Sequence, residues 1–361
     1  MFTLTRPAPY FLVVAGLWIG VPTRASDIAA GGDRWTEPAT YIGNGPFKLV
    51  RWAHNERLVF ERNDRYRRPA KLKRWTTLVI AEDAVAKAAF ANGELDVASA
   101  GTDPGAVTAP GDCSFYIGFN TTRPPFDDPA VRLAFARSLD RDALLRDVLP
   151  TAGRPSYSLI PPGLPGSDPD DRTQSFDPAA ARSLLGTSRY GTTLPPIRFI
   201  YNTRSVSLAP RVKWVIAQWS VNLGVSVTED PISVFGSQLV KKIETLPQLF
   251  SLGWCASYPD PHDWLSTIFA SGSTVTRTGY SSTEFDSLIR RADVEPDPAR
   301  RVDLYKQAQR VLTRDAPVAF LYSNEVRYLV NPRLRDYALS ATDWEFGQLT
   351  IATMYVAKAG F

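Results

Sequence analysis

Apolar and polar positions along this chain switch repeatedly between a period of two and a period near 3.6, which predicts strands and helices in alternation. Alternating runs over 47–52, 58–62 and 75–80 read as strands. An Ala-rich helix follows over 83–91, and Asn92-Gly93 closes it as a C-cap. Residues 101–111, rich in Gly and Pro, read as a loop near a domain boundary, and 113–120 alternate like a strand. Asp128-Pro129 opens a helix: Asp128 is its N-cap, Pro129 its first residue, and Val131, Ala134 and Phe135 its apolar stripe. Asp177-Pro178 opens another. Beyond 194 come a strand over 197–201, a helix over 206–223 and a strand over 225–228. Trp214 and Trp219 lie five positions apart on that helix, on different faces, so core packing accounts for them better than a ligand cage. The apolar run 246–252 reads as a strand leading into a turn rich in Pro and Asp. Asp297-Pro298 caps a long helix to about 314, striped by Val302, Tyr305, Ala308 and Leu312. Pro317 ends it, a strand follows over 318–322, and a hinge crossing is expected near 323–326.

The first thirty residues admit two readings. Arg6, an apolar run from Tyr10 to Val21 and small residues after it have the outline of a leader peptide. Pro7-Ala8-Pro9 would break the start of that run as a helix, and Arg24 stands at the cleavage position. A folded-domain reading fits better: residues 2–5 as a strand end, the prolines as a turn, the apolar run as a buried segment, and Met1 as an internal start.

Composition narrows the class without naming it. Of 361 residues, 44% are hydrophobic and 22% charged, which excludes a disordered or fibrous chain and allows more than one domain. The net charge of +4 comes from dispersed Lys and Arg. The one tight cluster, Arg65, Arg67, Arg68, Lys71, Lys73 and Arg74, reads as solvated surface, so no nucleic-acid partner is expected.

Candidate chemistry is sparse. Gly43 and Gly45 precede Pro46 and a strand, not a helix, so they form a turn and not a phosphate loop. His54 and His262 are the only histidines; no HExxH or GxSxG pattern occurs, and no catalytic residue is assigned. Asp260, His262 and Asp263 share a Pro-rich turn, where hydrogen-bonded loop structure outweighs a metal site. No metal or cofactor is assigned. Cys113 and Cys255 are 142 positions apart, and spacing does not say whether they pair.

The stretch Gly253-Trp254-Cys255-Ala256-Ser257-Tyr258-Pro259-Asp260 closely resembles the ligand-contacting segment of bacterial extracellular solute-binding proteins of family 5, the periplasmic oligopeptide- and dipeptide-binding proteins of ABC importers. Further similar segments are Phe2-Thr3-Leu4 with Pro7-Ala8-Pro9-Tyr10-Phe11, Gly43-Asn44-Gly45-Pro46-Phe47, Gly93-Glu94-Leu95-Asp96, and Pro124 to Ala136 with Leu139 to Leu144. They occur in family order over about residues 1–350.

The resemblance implies an α/β, two-lobed periplasmic-binding-protein-like fold of type II, lacking its N-terminal part. The implied domains are 1–30 as a remnant of a small third domain and return to lobe I, 31–112 as partial lobe I, 113–322 as lobe II, and 323–361 as the return to lobe I. It implies a monomeric receptor outside the cytoplasm, not an enzyme, that holds an oligopeptide extended between its lobes and delivers it to membrane permease subunits. Trp254, Cys255 and Ala256 would supply a backbone rail, since main-chain pairing binds peptides with little regard to side chain. The resemblance also implies a Cys113–Cys255 disulfide and an oxidising compartment.

Two departures matter. The family has an acid for the ligand's α-amino group where this chain has Ser257, and an arginine where it has Ser251. Lys242 is the candidate to meet a ligand carboxylate. Other solutes (a blocked peptide, a sugar, an opine), a non-binding fragment and, less favoured, a hydrolase remain alternatives.

Overall fold

A computed structural model describes residues 3–205, 207–233, 243–341, 346 and 350–358. The chain forms two compact units, one of residues 1–15 and 110–325, the other of residues 16–109 and 326–361. Residues 1–15 thus group with the larger unit.

The N-terminal expectations fail. Residues 3–5 form no strand, and the apolar run folds as a five-residue helix α1 (Phe11–Ala15) and a 3-10 turn (Trp18–Gly20). No residue of α1 is buried: Leu12 is 80% exposed, and Ile19 in the following turn 74%. Prolines at 7, 9 and 22 bracket the run, so it forms only short pieces too small to bury both faces. Helix α2 (Ala25–Gly31) follows.

In the smaller unit, β1 (Phe47–Ala53), β2 (Arg57–Arg62) and β3 (Arg74–Leu78) make an antiparallel meander. Helix α3 (Asp83–Ala91) ends as read, with Gly93 at φ 78° supplying the left-handed residue that a helix stop favours. Strand β4 (Val97–Ser99) follows.

Strand β5 (Val107–Phe119) starts inside the expected Gly/Pro loop. The glycine there answers a close approach: a Cβ on Gly111 would stand 2.3 Å from the Asn324 amide group. That amide's Oδ1 accepts from Cys113 N at 2.7 Å.

Within the larger unit the capping residues act as read. Asp128 accepts from Ala130 N at the start of α4 (Pro129–Arg137); Asp140, not singled out as a cap in the sequence, accepts from Ala143 N at α5 (Arg141–Asp147). Asp177 does the same for Ala180 N at α6 (Pro178–Thr187), after the short strand β6 (Gly153–Pro155). Strand β7 (Ile197–Asn202), helix α7 (Leu208–Leu223) and strand β8 (Val227–Ile232) form a parallel βαβ unit.

Strand β9 (Leu249–Cys255) begins three residues later than its apolar run suggests. Pro247 has no N–H to give a ladder, and Leu246 is buried as a loop residue whose carbonyl accepts from Asn120 Nδ2 and Arg123. The consequence is large for function, because Gly253, Trp254 and Cys255 lie in a strand and not in a turn.

Short helices α8 (Pro261–Trp264) and α9 (Ser266–Phe269) precede α10 (Thr283–Val294) and α11 (Pro298–Asp315). Strand β10 (Val318–Val330) continues eight residues past its expected end, and the change of unit falls inside it, between Glu325 and Val326. Strands β11 (Leu334–Arg335) and β12 (Tyr355–Val356) pair in the smaller unit.

The larger unit's sheet runs β10-β5-β9-β7-β8, with β6 also paired to β10. Its main core joins Ile117 and Phe119 of β5, Val131 and Phe135 of α4, Phe199 of β7, Val212, Val215 and Trp219 of α7, and Leu321 of β10. Phe119, Phe126, Phe135 and Trp219 form a chain of rings with centroids 4.8, 4.9 and 5.0 Å apart, and Trp219 Nε1 donates to Phe135 O. Trp214 packs against the same core from a partly buried position, so both tryptophans serve packing.

On the opposite face, Phe250 covers Gly118, where a Cβ would lie 2.2 Å from its ring. Gly118→Ala is expected to lower stability by about 1–3 kcal/mol through overpacking, read as a shift of the urea midpoint with unchanged m-value.

Candidate ligand-binding site

The site starts from the parity of one antiparallel ladder. Strands β5 and β9 pair from Cys113↔Cys255 to Phe119↔Leu249. Just beyond the two ends, Ala256 N donates to Asp112 O at 2.8 Å and Asn120 N to Gln248 O at 2.9 Å. Even-numbered residues of both strands therefore face each other through hydrogen bonds, because bonded and non-bonded pairs alternate. On its other edge β5 uses odd-numbered residues: Phe119 N donates to Pro317 O and Cys113 N to the Asn324 side chain.

It follows that Ser251, Gly253 and Cys255 aim their backbone groups away from β5. There β7 pairs only with Leu249 and Phe250, and beyond Phe250 no strand lies along that side of β9 among the described residues. Gly253 and Cys255 are exposed. The free stretch, from Ser251 to Cys255, is about 13 Å long at the usual rise of a strand.

Of the expected rail residues, Cys255 turns its backbone groups away from β5, as Gly253 does, whereas Trp254 and Ala256 turn theirs toward it. The Ala256 N–H is bonded inward to Asp112, and the Trp254 side chain donates from Nε1 to Asp263 Oδ2 at 3.0 Å.

Side chains on the two faces of β9 differ. On the core face, Cys113 and Cys255 form the disulfide directly across the ladder. Next along, the Phe115 ring lies over Gly253, where a Cβ would stand 2.8 Å from Cδ1. Glycine is required there by that contact, and it leaves the middle of the edge without a side chain.

The Phe115 ring also stacks on Tyr322 at 4.8 Å, and the Arg211 guanidinium sits 5.8 Å from both ring centroids. Arg211 donates to Ser251 Oγ at 2.6 Å and to Tyr322 Oη at 3.0 Å. Burial pulls its pKa down, and the Tyr322 hydroxyl partly offsets that.

On the other face the turn after β9 is tied from below. Asp263, 1% exposed, accepts from Trp254 Nε1 and from Ser257 N at 2.8 Å. Burial raises its pKa against the lowering effect of those two donors. Asp260 holds both its oxygens on buried Arg301, at 2.7 and 2.8 Å, and Oδ1 also caps His262 N. His262 Nδ1 bonds the Tyr258 hydroxyl at 2.7 Å, and Tyr10 stacks on its ring at 3.8 Å. Burial lowers the His262 pKa and raises that of Tyr258 to about 12.

The Asp260, His262 and Asp263 side chains are thus engaged with different partners and converge on no common point. The group of three potential metal ligands found among the described residues is Asp112, Cys113 and Cys255, and its two sulfurs are joined to each other. Ser257 is exposed and its hydroxyl brings no charge. Lys242 lies outside the described residues.

Pattern reading missed Arg211 and Tyr322. The available signal was an arginine inside the apolar stripe Leu208, Val212, Val215 and Trp219, at the i+3 position where an apolar residue belongs.

Two outcomes are expected. Cys113→Ser with Cys255→Ser, or chemical reduction, should lower unfolding free energy by about 2–4 kcal/mol, measured in urea with and without reductant. Asp260→Ala strands the buried Arg301 charge and should cost about 3–5 kcal/mol by the same assay, whereas an exposed ion pair would cost less than about 1 kcal/mol.

Comparison with known proteins places this geometry. The family described as bacterial extracellular solute-binding proteins, family 5 Middle, matches residues 1–275. The periplasmic oligopeptide-binding protein OppA of Salmonella typhimurium is 30% identical over 353 residues, which cover 92% of this chain and 63% of the relative. The periplasmic murein peptide-binding protein MppA of Escherichia coli is 26% identical, covering 98% of this chain and 68% of the relative. Among solved structures, HbpA2 from Haemophilus parasuis superposes with a TM-score of 0.84 at 20% identity, over 99% of this chain and 73% of that one, a likeness of fold alone. The chain spans just under two thirds of the OppA relative's length. Its architecture is the two-lobed type II fold of periplasmic binding proteins. The chain belongs to the bacterial extracellular solute-binding proteins of family 5.

Proposed function

We propose that this chain is the substrate-binding component of a peptide importer, a monomer that captures extended peptides outside the cytoplasm and delivers them to an ABC permease. The observation that carries this reading is the β9 edge at Gly253 and Cys255, which no strand among the described residues pairs. An extended main chain added there would meet outward N–H and C=O groups at alternate residues, which binds peptides through a feature all of them share. The side-chain-free centre at Gly253 suits close approach of a second backbone.

Two further observations support the reading. The disulfide fits an oxidising compartment, and the OppA and MppA relatives are named as periplasmic peptide-binding proteins. No helix among the described residues is long and apolar enough to cross a membrane.

The α-amino group of the ligand is the point on which this chain departs from the expected pattern. Asp260 is taken up by Arg301, Asp263 is buried beneath Trp254 and Ser257, and Ser257 is neutral.

Titration of tryptophan fluorescence with tri- to penta-alanine should give a saturable change; no change with any of them would defeat the peptide reading. Methylating a central peptide nitrogen should weaken binding by about fivefold or more, the worth of one main-chain hydrogen bond. N-acetylation should change the dissociation constant by less than about threefold, since no charge-assisted bond is lost. A larger loss would place the α-amino group on Asp112, the remaining carboxylate beside the disulfide.

A further inference from the structure

The tightest run of charge in the sequence lies in the connection from β2 to β3. Residues 63–74 hold six cations, Arg65, Arg67, Arg68, Lys71, Lys73 and Arg74, against one acid, Asp64. All six are exposed. Neighbouring carboxylates balance only part of the run. Glu61 pairs with Arg74 at 2.8 Å and Asp336 with Lys71 at 2.8 Å, while Asp64 turns to Arg62 at 2.6 Å. Arg65, Arg67, Arg68 and Lys73 have no carboxylate within ion-pair distance among the described residues. Strand register extends the patch. Lys48 stands opposite Glu61 and Glu61 opposite Arg74, so the three share one face of the meander and its acid lies between two cations.

The backbone beneath these side chains is pinned. Asn63, 7% exposed, donates from Nδ2 to Gly45 O at 2.9 Å, accepts at Oδ1 from Arg65 N, and donates its own N–H to Pro46 O. Tyr66 N donates to Asn63 O, and Ala70 is buried at the far side of the turn. Arg65 and Arg67 flank Tyr66 in a surface depression completed by Asn44 and Gly45. A fixed turn presenting long cationic side chains can meet an uneven anionic surface without having to order its backbone first.

The makeup of the turn selects its partner. A protein partner is met through an apolar centre with a polar rim, and lysine is depleted from such surfaces. Here the order is reversed. Between Asn63 and Ala70 only Tyr66 and Pro69 are uncharged, Tyr66 is half-buried, and Leu72 packs against the core of the smaller unit. A layer of anionic phosphate groups suits this composition: guanidinium forks match phosphate oxygens, and a tyrosine is at home at headgroup level.

We infer that the β2–β3 connection docks the chain on a membrane surface rich in anionic phospholipid, with Arg65, Arg67, Arg68 and Lys73 on headgroup phosphates and Lys48 and Arg74 at the margin of the contact. The choice of a lipid surface over a soluble polyanion rests on the reading that the chain delivers its cargo at a membrane. Docking of this kind would keep the chain beside the membrane and confine its search for a permease to that surface. Each cation close to an anionic lipid surface is worth about fivefold in binding, and the attraction fades beyond about 10 Å at 0.1 M salt.

The test is co-sedimentation of the full chain with vesicles of phosphatidylcholine alone and of phosphatidylcholine mixed with phosphatidylglycerol. Wild type should bind the anionic vesicles about tenfold or more tightly than the neutral ones, and should lose most of that preference between about 0.05 and about 0.5 M salt. Arg65→Glu, Arg67→Glu and Arg68→Glu together should bring the ratio to near one. Arg204→Glu, Lys213→Glu and Arg300→Glu together make the same change of net charge at exposed positions of the larger unit, and should leave the ratio within about threefold of wild type. Should the reversed turn not melt cooperatively, Arg65→Ala, Arg67→Ala and Arg68→Ala together carry the test, with a loss of about tenfold or more on anionic vesicles.

Equal wild-type affinity for neutral and anionic vesicles would overturn the docking surface. So would an equal loss in the two charge-reversed variants, which would assign the attraction to net charge and not to the turn. Binding to soluble polyphosphate without binding to vesicles would make the partner a soluble polyanion and overturn the membrane contact. Peptide titration of the same proteins reads the receptor function separately. Peptide binding without vesicle binding removes this inference alone, and vesicle preference without peptide binding removes the importer reading and leaves the docking surface standing.

Discussion

Everything functional in the larger unit depends on the register between β5 and β9. That ladder decides which residues of β9 turn their backbone outward, places Phe115 over Gly253, and brings Ser251 to where α7 can reach it. The register has three independent supports. The disulfide crosses one end, Phe250 fills the space over Gly118 near the other, and Asn120 with Gln248 closes that end. Any one contributes a few kcal/mol at most. Together they hold a strand along whose far side, beyond Phe250, no strand lies among the described residues.

Such an edge is ordinarily a hazard, because unpaired main-chain groups recruit other chains. Here it is short, and Trp254 and Ser257 fasten the following turn to buried Asp263. The turn is fastened again through Asp260 to Arg301 on α11, and through His262 to Tyr10 of the N-terminal segment. Rigid support beneath an open edge is what an extended ligand requires, since ordering the receptor would otherwise subtract from its affinity.

Much of the scaffold was legible because its signals are local. Asp-Pro pairs at 128, 177 and 297 announce helix starts within one residue, and the stripe Tyr305, Ala308, Leu312 follows from periodicity alone. Signals that depend on partners were misread. Gly111 looked like loop punctuation because Asn324, more than two hundred positions away, is what makes a glycine necessary there. The run after Tyr10 looked like core because hydrophobicity does not reveal whether a neighbour exists to cover it. At the candidate site, the motif pointed to β9 but not to its parity. That required hydrogen bonds at both ends of the ladder, which sequence does not contain. Arg211 was hidden for a related reason: a charge in a helical stripe gains meaning only once its partners, Ser251 and Tyr322, are located in space.

Pairing parity also constrains how this fold can diverge. Deleting or inserting a single residue between Leu249 and Cys255 would turn the inward groups outward and carry every side chain to the opposite face. Gly253 would then no longer lie beneath Phe115, and the two sulfurs could not meet. Length changes in that strand are therefore tolerable only in steps of two, and the chain has more freedom to change length at either end of the strand than within it.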